Sequence, residues 1–211
     1  MPRRSYAHYC AVARALDTVG ERWTLLIVRE LLAGPRRYTD LHADLPGVST
    51  DVLASRLKEL EADGLIERRR LGRAANSHTY ELTPRGRALR PVLAALAAWG
   101  AVELGTPAPT EAVRVHWLAL PLLQVLGEAA PQATGTAEIR LPGGLFHLLL
   151  DPAEPAWADG PADHPDAVLT LDDTTAAALA EHRTTLGAAA KQEHLTVLGD
   201  SPLAEALRAA G

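Results

Sequence analysis

The chain of 211 residues holds a single cysteine, Cys10. With no second thiol, an internal disulfide and a cysteine-built zinc site are both excluded. The eight histidines offer no H-E-x-x-H or other ligand spacing. His164, beside Asp163 and Asp166, reads better as part of a polar loop with Pro161 and Pro165 than as a metal cluster. No phosphate-binding loop and no dinucleotide fingerprint occur, so neither metal nor cofactor is expected. Gly199-Asp200-Ser201-Pro202 echoes the opening of an esterase motif. Only ten residues follow Ser201, too few for downstream Asp and His partners, so the reading is non-enzymatic. Apolar runs fall far short of the roughly 18 residues that span a bilayer. After Met1-Pro2-Arg3-Arg4 comes a polar segment with Tyr6, His8 and Tyr9 in place of an apolar signal core, which predicts a cytoplasmic protein with no membrane partner.

What is present is ordinary in amount and uneven in placement. Hydrophobic residues make up 47% and charged residues 22%, which excludes wholesale disorder. The net charge of −5 conceals a basic and an acidic half. Residues 1–105 carry 16 Lys+Arg against 12 Asp+Glu, whereas residues 106–211 carry 5 against 14. Contact with a polyanion is therefore expected of the first half alone. Gly105-Thr106-Pro107-Ala108-Pro109-Thr110 has linker composition, and the expectation is two domains, 1–105 and 106–211.

In the first half, Trp23 to Leu32 reads as a buried helix stopped by Gly34-Pro35, preceded by a helical stripe of Ala11, Ala15, Leu16 and Val19. Tyr38-Thr39-Asp40-Leu41 forms a short element before the turn Leu45-Pro46-Gly47-Val48. Ser49 is an N-cap candidate ahead of Leu53, Leu57 and Leu60, which share one helix face, and Gly64 ends that helix. The opposite face carries Asp51, Ser55, Lys58 and Ala62, with Arg56 on its flank. Strands at Leu65–Arg70 and His78–Leu82 flank a basic loop, and Thr83-Pro84 opens a closing helix to about Gly100. Pro91 predicts a kink or break near its second turn. This order is a winged helix-turn-helix. A helix 10–12 Å across fits the major groove, roughly 12 Å wide, and the basic loop reaches adjacent phosphates.

Cys10, Ala15-Leu16-Asp17, Gly20 to Ile27, Leu31, Arg37 to Leu41, Leu57 to Ile66 and Tyr80 to Gly86 together resemble the HxlR-type transcriptional regulators. The resemblance implies a homodimer on a pseudo-palindromic double-stranded DNA operator, one recognition helix to each half-site. By position, Ser49, Thr50, Ser55, Arg56 and Lys58 are the recognition-helix candidates, and Arg69, Arg70, Arg73 and Asn76 are the wing candidates. The alternative for Arg56 is an intramolecular salt bridge, and for the arginine run simple solvation. Leu89, Leu93, Leu96 and Trp99 are candidates for a dimer interface or for packing within their own domain. Cys10 stands where some members carry a cysteine that senses oxidants or electrophiles. The alternative is a small buried hydrophobe.

The second half reads as a helix from Val113 to Leu126, a hairpin Thr136–Leu141 and Leu145–Leu150 across Pro142-Gly143-Gly144, and a loop around Trp157. A strand Ala167–Leu171, a helix capped by Asp172, a strand from His194 and a final helix opened by Ser201-Pro202 follow. From Asp166 onward it resembles the sterol carrier protein-like domains, which implies an α+β layer over an apolar tunnel. The fold class is thus α+β, a winged helix-turn-helix followed by an α+β domain with a small antiparallel sheet. A hydrophobic small-molecule effector is the expected ligand, with Trp117 and Trp157 as candidate pocket residues. The rival readings are a thiol switch at Cys10 and a second domain that only dimerises or carries lipid.

Overall fold

Local signals in the sequence place most elements of the first unit. The computed structural model describes residues 5–70, 78–105 and 107–210, and the chain divides into two compact units, Met1–Leu93 and Ala94–Gly211. The first unit opens with α1 (Ala11–Val19) and α2 (Thr24–Leu32), followed by the short strand β1 (Arg36–Arg37). Helices α3 (Tyr38–Asp44) and α4 (Thr50–Ala62) precede the hairpin strands β2 (Ile66–Arg70) and β3 (His78–Leu82). The Ser49 hydroxyl caps α4 by accepting from the Val52 N–H, and Gly64, at φ +68°, ends the same helix in a conformation that glycine takes without cost. Leu53, Leu57 and Leu60 are buried together with Ile27, Leu31, Leu41, Leu45, Leu65, Ile66 and Leu82. Of the stripe expected on α1, only Val19 is buried; Leu16 is exposed.

The closing helix is two helices. Thr83 and Pro84 start α5 (Pro84–Arg87), and α6 (Arg90–Ala101) begins after a two-residue break. Pro91 has no N–H to return to residue 87, so the ladder cannot run through. Pro91 is instead the second residue of α6, where a free N–H is not needed. Strand β1 was not anticipated. Two residues long, it exists through pairing, with Arg36 opposite Tyr80 on β3.

In the second unit a 3-10 turn at Val115–Leu118 leads into α7 (Ala119–Ala129). The single helix expected over 113–126 is therefore divided, and Pro121 is tolerated because it falls in the first turn of α7. The remaining elements are β4 (Gly135–Leu141), β5 (Gly144–Leu150), β6 (Ala156–Asp159), β7 (Ala167–Leu171), α8 (Asp173–Ala180), α9 (Leu186–Lys191), β8 (Leu195–Leu198) and α10 (Pro202–Ala209). Caps expected from the sequence are made, with Asp172 Oδ1 accepting from the Thr175 N–H and Ser201 Oγ from the Ala204 N–H. The sheet order is β6-β5-β4-β7-β8, all neighbours antiparallel except β4 and β7. It is a five-stranded mixed sheet, larger than the small antiparallel one expected. Trp157 lies on edge strand β6, not in a loop, because its segment pairs with β5 and sets Trp157 opposite Leu148. One face of the sheet, lined by Trp157, Leu148, Ala137, Phe146, Ile139 and Leu169, is buried.

Candidate nucleic-acid interface

Helices α3 and α4 are joined by a turn through Leu45, Val48 and Ser49, and the Tyr38 hydroxyl donates to the Thr50 carbonyl at 2.9 Å across it. This bond ties the first helix of the pair to the first turn of the second. The apolar face of α4 is buried, which leaves Thr50, Asp51, Ser55 and Lys58 exposed along its other side. Ser49 is exposed at the helix start. Five expected recognition residues therefore fall on one short segment, but not all are equally available. Arg56 Nη1 lies 2.5 Å from Glu59 Oε2, Nη2 lies 3.9 Å from Glu21, and its side chain is only 16% exposed. Its buried Nε has no hydrogen-bond partner. Ser55 Oγ donates to the other oxygen of Glu59 at 3.1 Å. One carboxylate thus engages two adjacent candidates.

The wing follows on β2 and β3. Arg68, Arg69 and Arg70 pair in register with Tyr80, Thr79 and His78. Alternation puts Glu67 and Arg69 on one face, and Arg69 is held by Glu67 at 2.8 Å and by Glu81 on the facing strand. The Arg69 guanidinium, chiefly by this hydrogen bond, holds the Glu67 carboxyl below its ordinary range, and Glu67 in turn raises Arg69. Arg68 Nη2 approaches His78 Nδ1 at 3.2 Å. Arg70 is exposed, while Arg73 and Asn76 lie outside the described residues. Sequence reasoning missed the acidic partners of Arg69, since Glu81 reaches it only through the strand register.

In the second unit, Trp157 is 4% exposed and Trp117 is half-buried. The His116 ring stacks on Trp157 with centroids 5.9 Å apart and an interplanar angle of 18°, and it meets Trp117 edge-on. His116 Nδ1 stands 3.7 Å from Asp159 Oδ1. The Trp157 indole Nε1 is buried without a hydrogen-bond partner. The two tryptophans expected at a pocket therefore share one cluster, with His116 between them.

The profile of the HxlR-like helix-turn-helix family matches residues 18–106, and that of the SCP-2 sterol transfer family matches residues 122–210. The HTH-type transcriptional regulator YvaP of Bacillus subtilis (strain 168) is 40% identical over 86 residues, 41% of this chain and 80% of that protein. The chain belongs to the HxlR-like helix-turn-helix family. The HTH-type regulator YodB of the same bacterium is 38% identical over 85 residues, 40% of this chain and 76% of YodB. A crystal structure of the HTH-type regulator YtcD is 33% identical, covers 46% of this chain and 99% of its own, and superimposes with a TM-score of 0.43. This HxlR-family regulator carries an SCP-2 sterol transfer family domain as its C-terminal half.

Among the described residues of this HxlR-family chain, exposed apolar side chains collect on two helices. Val12 and Leu16 are exposed on α1, and Val92, Leu96 and Trp99 on α6. Leu93 is core and Leu89 is half-buried, so the expected interface stripe divides into two packed and two open residues. Cys10 is exposed at the N-cap position of α1. The small-buried-hydrophobe alternative does not describe it. No helix among the described residues is long and apolar enough to cross a membrane.

Proposed function

We propose that the protein acts as a homodimer whose two α4 helices enter successive half-sites of a pseudo-palindromic operator, each flanked by its wing, and that the SCP-2 domain binds a hydrophobic effector. The observation that carries the DNA-reading part is the arrangement of α4. It is capped by Ser49, packed through its leucines, and open along Thr50, Ser55 and Lys58 next to the Arg68–Arg70 strand. Small polar side chains let the backbone approach base edges, and the cations supply charge-assisted phosphate contacts. The proposed domain limits are 1–105 for DNA binding and dimerisation and 106–211 for the effector.

The exposed Leu96 and Trp99, with Val92, favour pairing with a second copy, since a symmetric operator calls for a symmetric protein. An effector controls such a dimer only if it binds one spacing of the recognition helices more tightly than another. A preference of about 1–3 kcal/mol is enough. The relatives being transcriptional regulators supports a non-enzymatic role. The test is a mobility shift on the DNA upstream of its own gene, with and without hydrophobic metabolites. A retarded dimeric complex whose affinity changes with such a compound is the expected result. A monomer indifferent to DNA in dilute salt overturns the reading.

The exposure of Cys10 at a helix start favours a second reading, a thiol switch. In that case Cys10→Ser abolishes an oxidant response while leaving DNA binding intact. An SCP-2 domain that binds no apolar compound is instead a dimerisation module.

A further inference from the structure

The buried face of the second unit's sheet has one polar atom left over. Trp157 sits on β6 opposite Leu148, and α7 and the 3-10 turn at Val115–Leu118 pack over this part of the sheet. The residue is 96% removed from solvent, given its exposure of 4%, yet its indole N–H donates to nothing. Buried tryptophan N–H groups ordinarily find an acceptor, and one without a partner calls for an explanation. The neighbours do not supply one. The His116 ring lies nearly parallel to the indole, 5.9 Å away by centroid, so it covers the face of Trp157, while the N–H points along the ring edge. Leu148, beside it in register, has no acceptor on its side chain.

We propose that Trp157 Nε1–H is the polar anchor of the effector site, and that the effector is a neutral apolar molecule bearing a carbonyl oxygen. This rests on the effector-binding reading of the SCP-2 domain and names the chemistry of that ligand. The walls are apolar or aromatic, with Leu148, His116 and Trp157 around a single unused donor. That is the usual composition of a small-molecule site, in which a few placed polar groups orient an apolar body. Neutrality follows from Asp159. It lies two residues along the same strand on the same face, about 6.6 Å of rise from Trp157. A ligand carboxylate on the indole would face that second negative charge in a poorly hydrated site. A ketone, ester or amide oxygen accepts the bond without the repulsion.

The test uses the full chain and two probes of matched shape, naphthalene and 2-acetylnaphthalene, titrated by calorimetry. The ketone is expected to bind about five- to tenfold more tightly, the ratio that one net hydrogen bond supplies. Trp157→Phe is expected to abolish that ratio while retaining naphthalene binding. Because the variant removes part of a packed ring, a second readout uses the unaltered protein. Its Trp157 indole N–H resonance moves downfield with 2-acetylnaphthalene and not with naphthalene. Equal affinities with no response of that resonance overturn the anchor and leave the effector reading standing. Tighter binding of 2-naphthoate than of the ketone overturns the neutral class. Binding of neither probe overturns both the anchor and the effector reading beneath it.

Discussion

Arg56 and Glu59 on α4 form an ion pair of 2.5 Å on the helix face expected to meet DNA, and the same carboxylate accepts from Ser55. Before any duplex arrives, Glu59 occupies the guanidinium that would reach a phosphate. Engagement of DNA by Arg56 requires exchange of one anionic partner for another. The expected outcome for Glu59→Gln is tighter binding at low salt, about two- to fivefold, with a salt slope steeper by roughly one unit. Anisotropy titrations over a range of salt concentrations measure both. An unchanged slope assigns Arg56 to packing between α4 and the Glu21 corner, and an unfolded Arg56→Ala variant points the same way.

The wing separates into balanced and unbalanced cations. Arg69 is neutralised by Glu67 and Glu81, so Arg69→Ala is expected to alter the salt slope by less than one unit. Arg73→Ala is expected to shallow the slope by about one unit and to weaken binding to all sequences alike. Equal effects of the two substitutions would mean that DNA displaces both carboxylates from Arg69.

Much of this interface was legible because its signals are local. Ser49, Thr83-Pro84, Asp172 and Ser201-Pro202 each act within one helical turn, and each cap forms where the residue type demands it. The leucine spacing on α4 likewise reports its buried side. What could not be read depends on register. Glu81 reaches Arg69 because β3 runs antiparallel to β2 with Glu67 opposite Glu81, a relationship that no spacing along the chain encodes. Strand β6 escaped notice because Ala156-Trp157-Ala158-Asp159 has little β character of its own and is extended through β5. The family resemblance, by contrast, covered both halves correctly, since it rests on many ordered motifs instead of one pattern.

Gly86 is the glycine with the least room. A Cβ there would stand 2.1 Å from the Leu65 carbonyl oxygen and 2.9 Å from Leu82 Cδ2. The Leu65 backbone lies between α4 and β2, so it cannot yield cheaply. Gly86→Ala is expected to cost about 3 kcal/mol. Urea denaturation measures the loss, and a change within 0.5 kcal/mol, about the scatter for harmless surface substitutions, would show that α5 shifts freely.

Asp172 holds the start of α8. Hydrogen bonds from the Thr174 hydroxyl and then the Thr175 N–H lower its carboxyl to about 2, against an ordinary 3.8. A depressed acid stabilises the fold fully above its unfolded value, and that contribution fades as pH falls from about 4 towards 2. Asp172→Ala is expected to cost about 1 kcal/mol at neutral pH and almost nothing at pH 2. A cost independent of pH would assign the loss to helix propensity, not to the cap.

Glu138, at 2% exposure on the central strand β4, is the buried acid of the SCP-2 domain. Burial pushes its carboxyl up, but the hydrogen bonds from Arg140 Nε at 2.7 Å and the Ala162 N–H at 3.0 Å outweigh it and leave the group below its ordinary 4.5. The second bond matters structurally. It fixes the segment from Gly160 to Asp166 that carries the chain from β6 to β7 across the sheet, a segment also tied by His147 to the Gly160 carbonyl. Glu138→Ala removes the acceptor and strands a backbone N–H. Because Arg140 is half exposed, solvent screens its share, and the total expected cost is about 2 kcal/mol. The sign in pH follows from the depressed value. The stabilisation is present above about 4.5 and lost on acidification, so wild type and variant converge in stability below that point. Hydrogen exchange at Ala162 locates the effect, since its amide is expected to exchange faster in the variant while amides of β4 and β7 stay protected. Uniform acceleration across the sheet would mean that Glu138 supports the whole domain and not this connection.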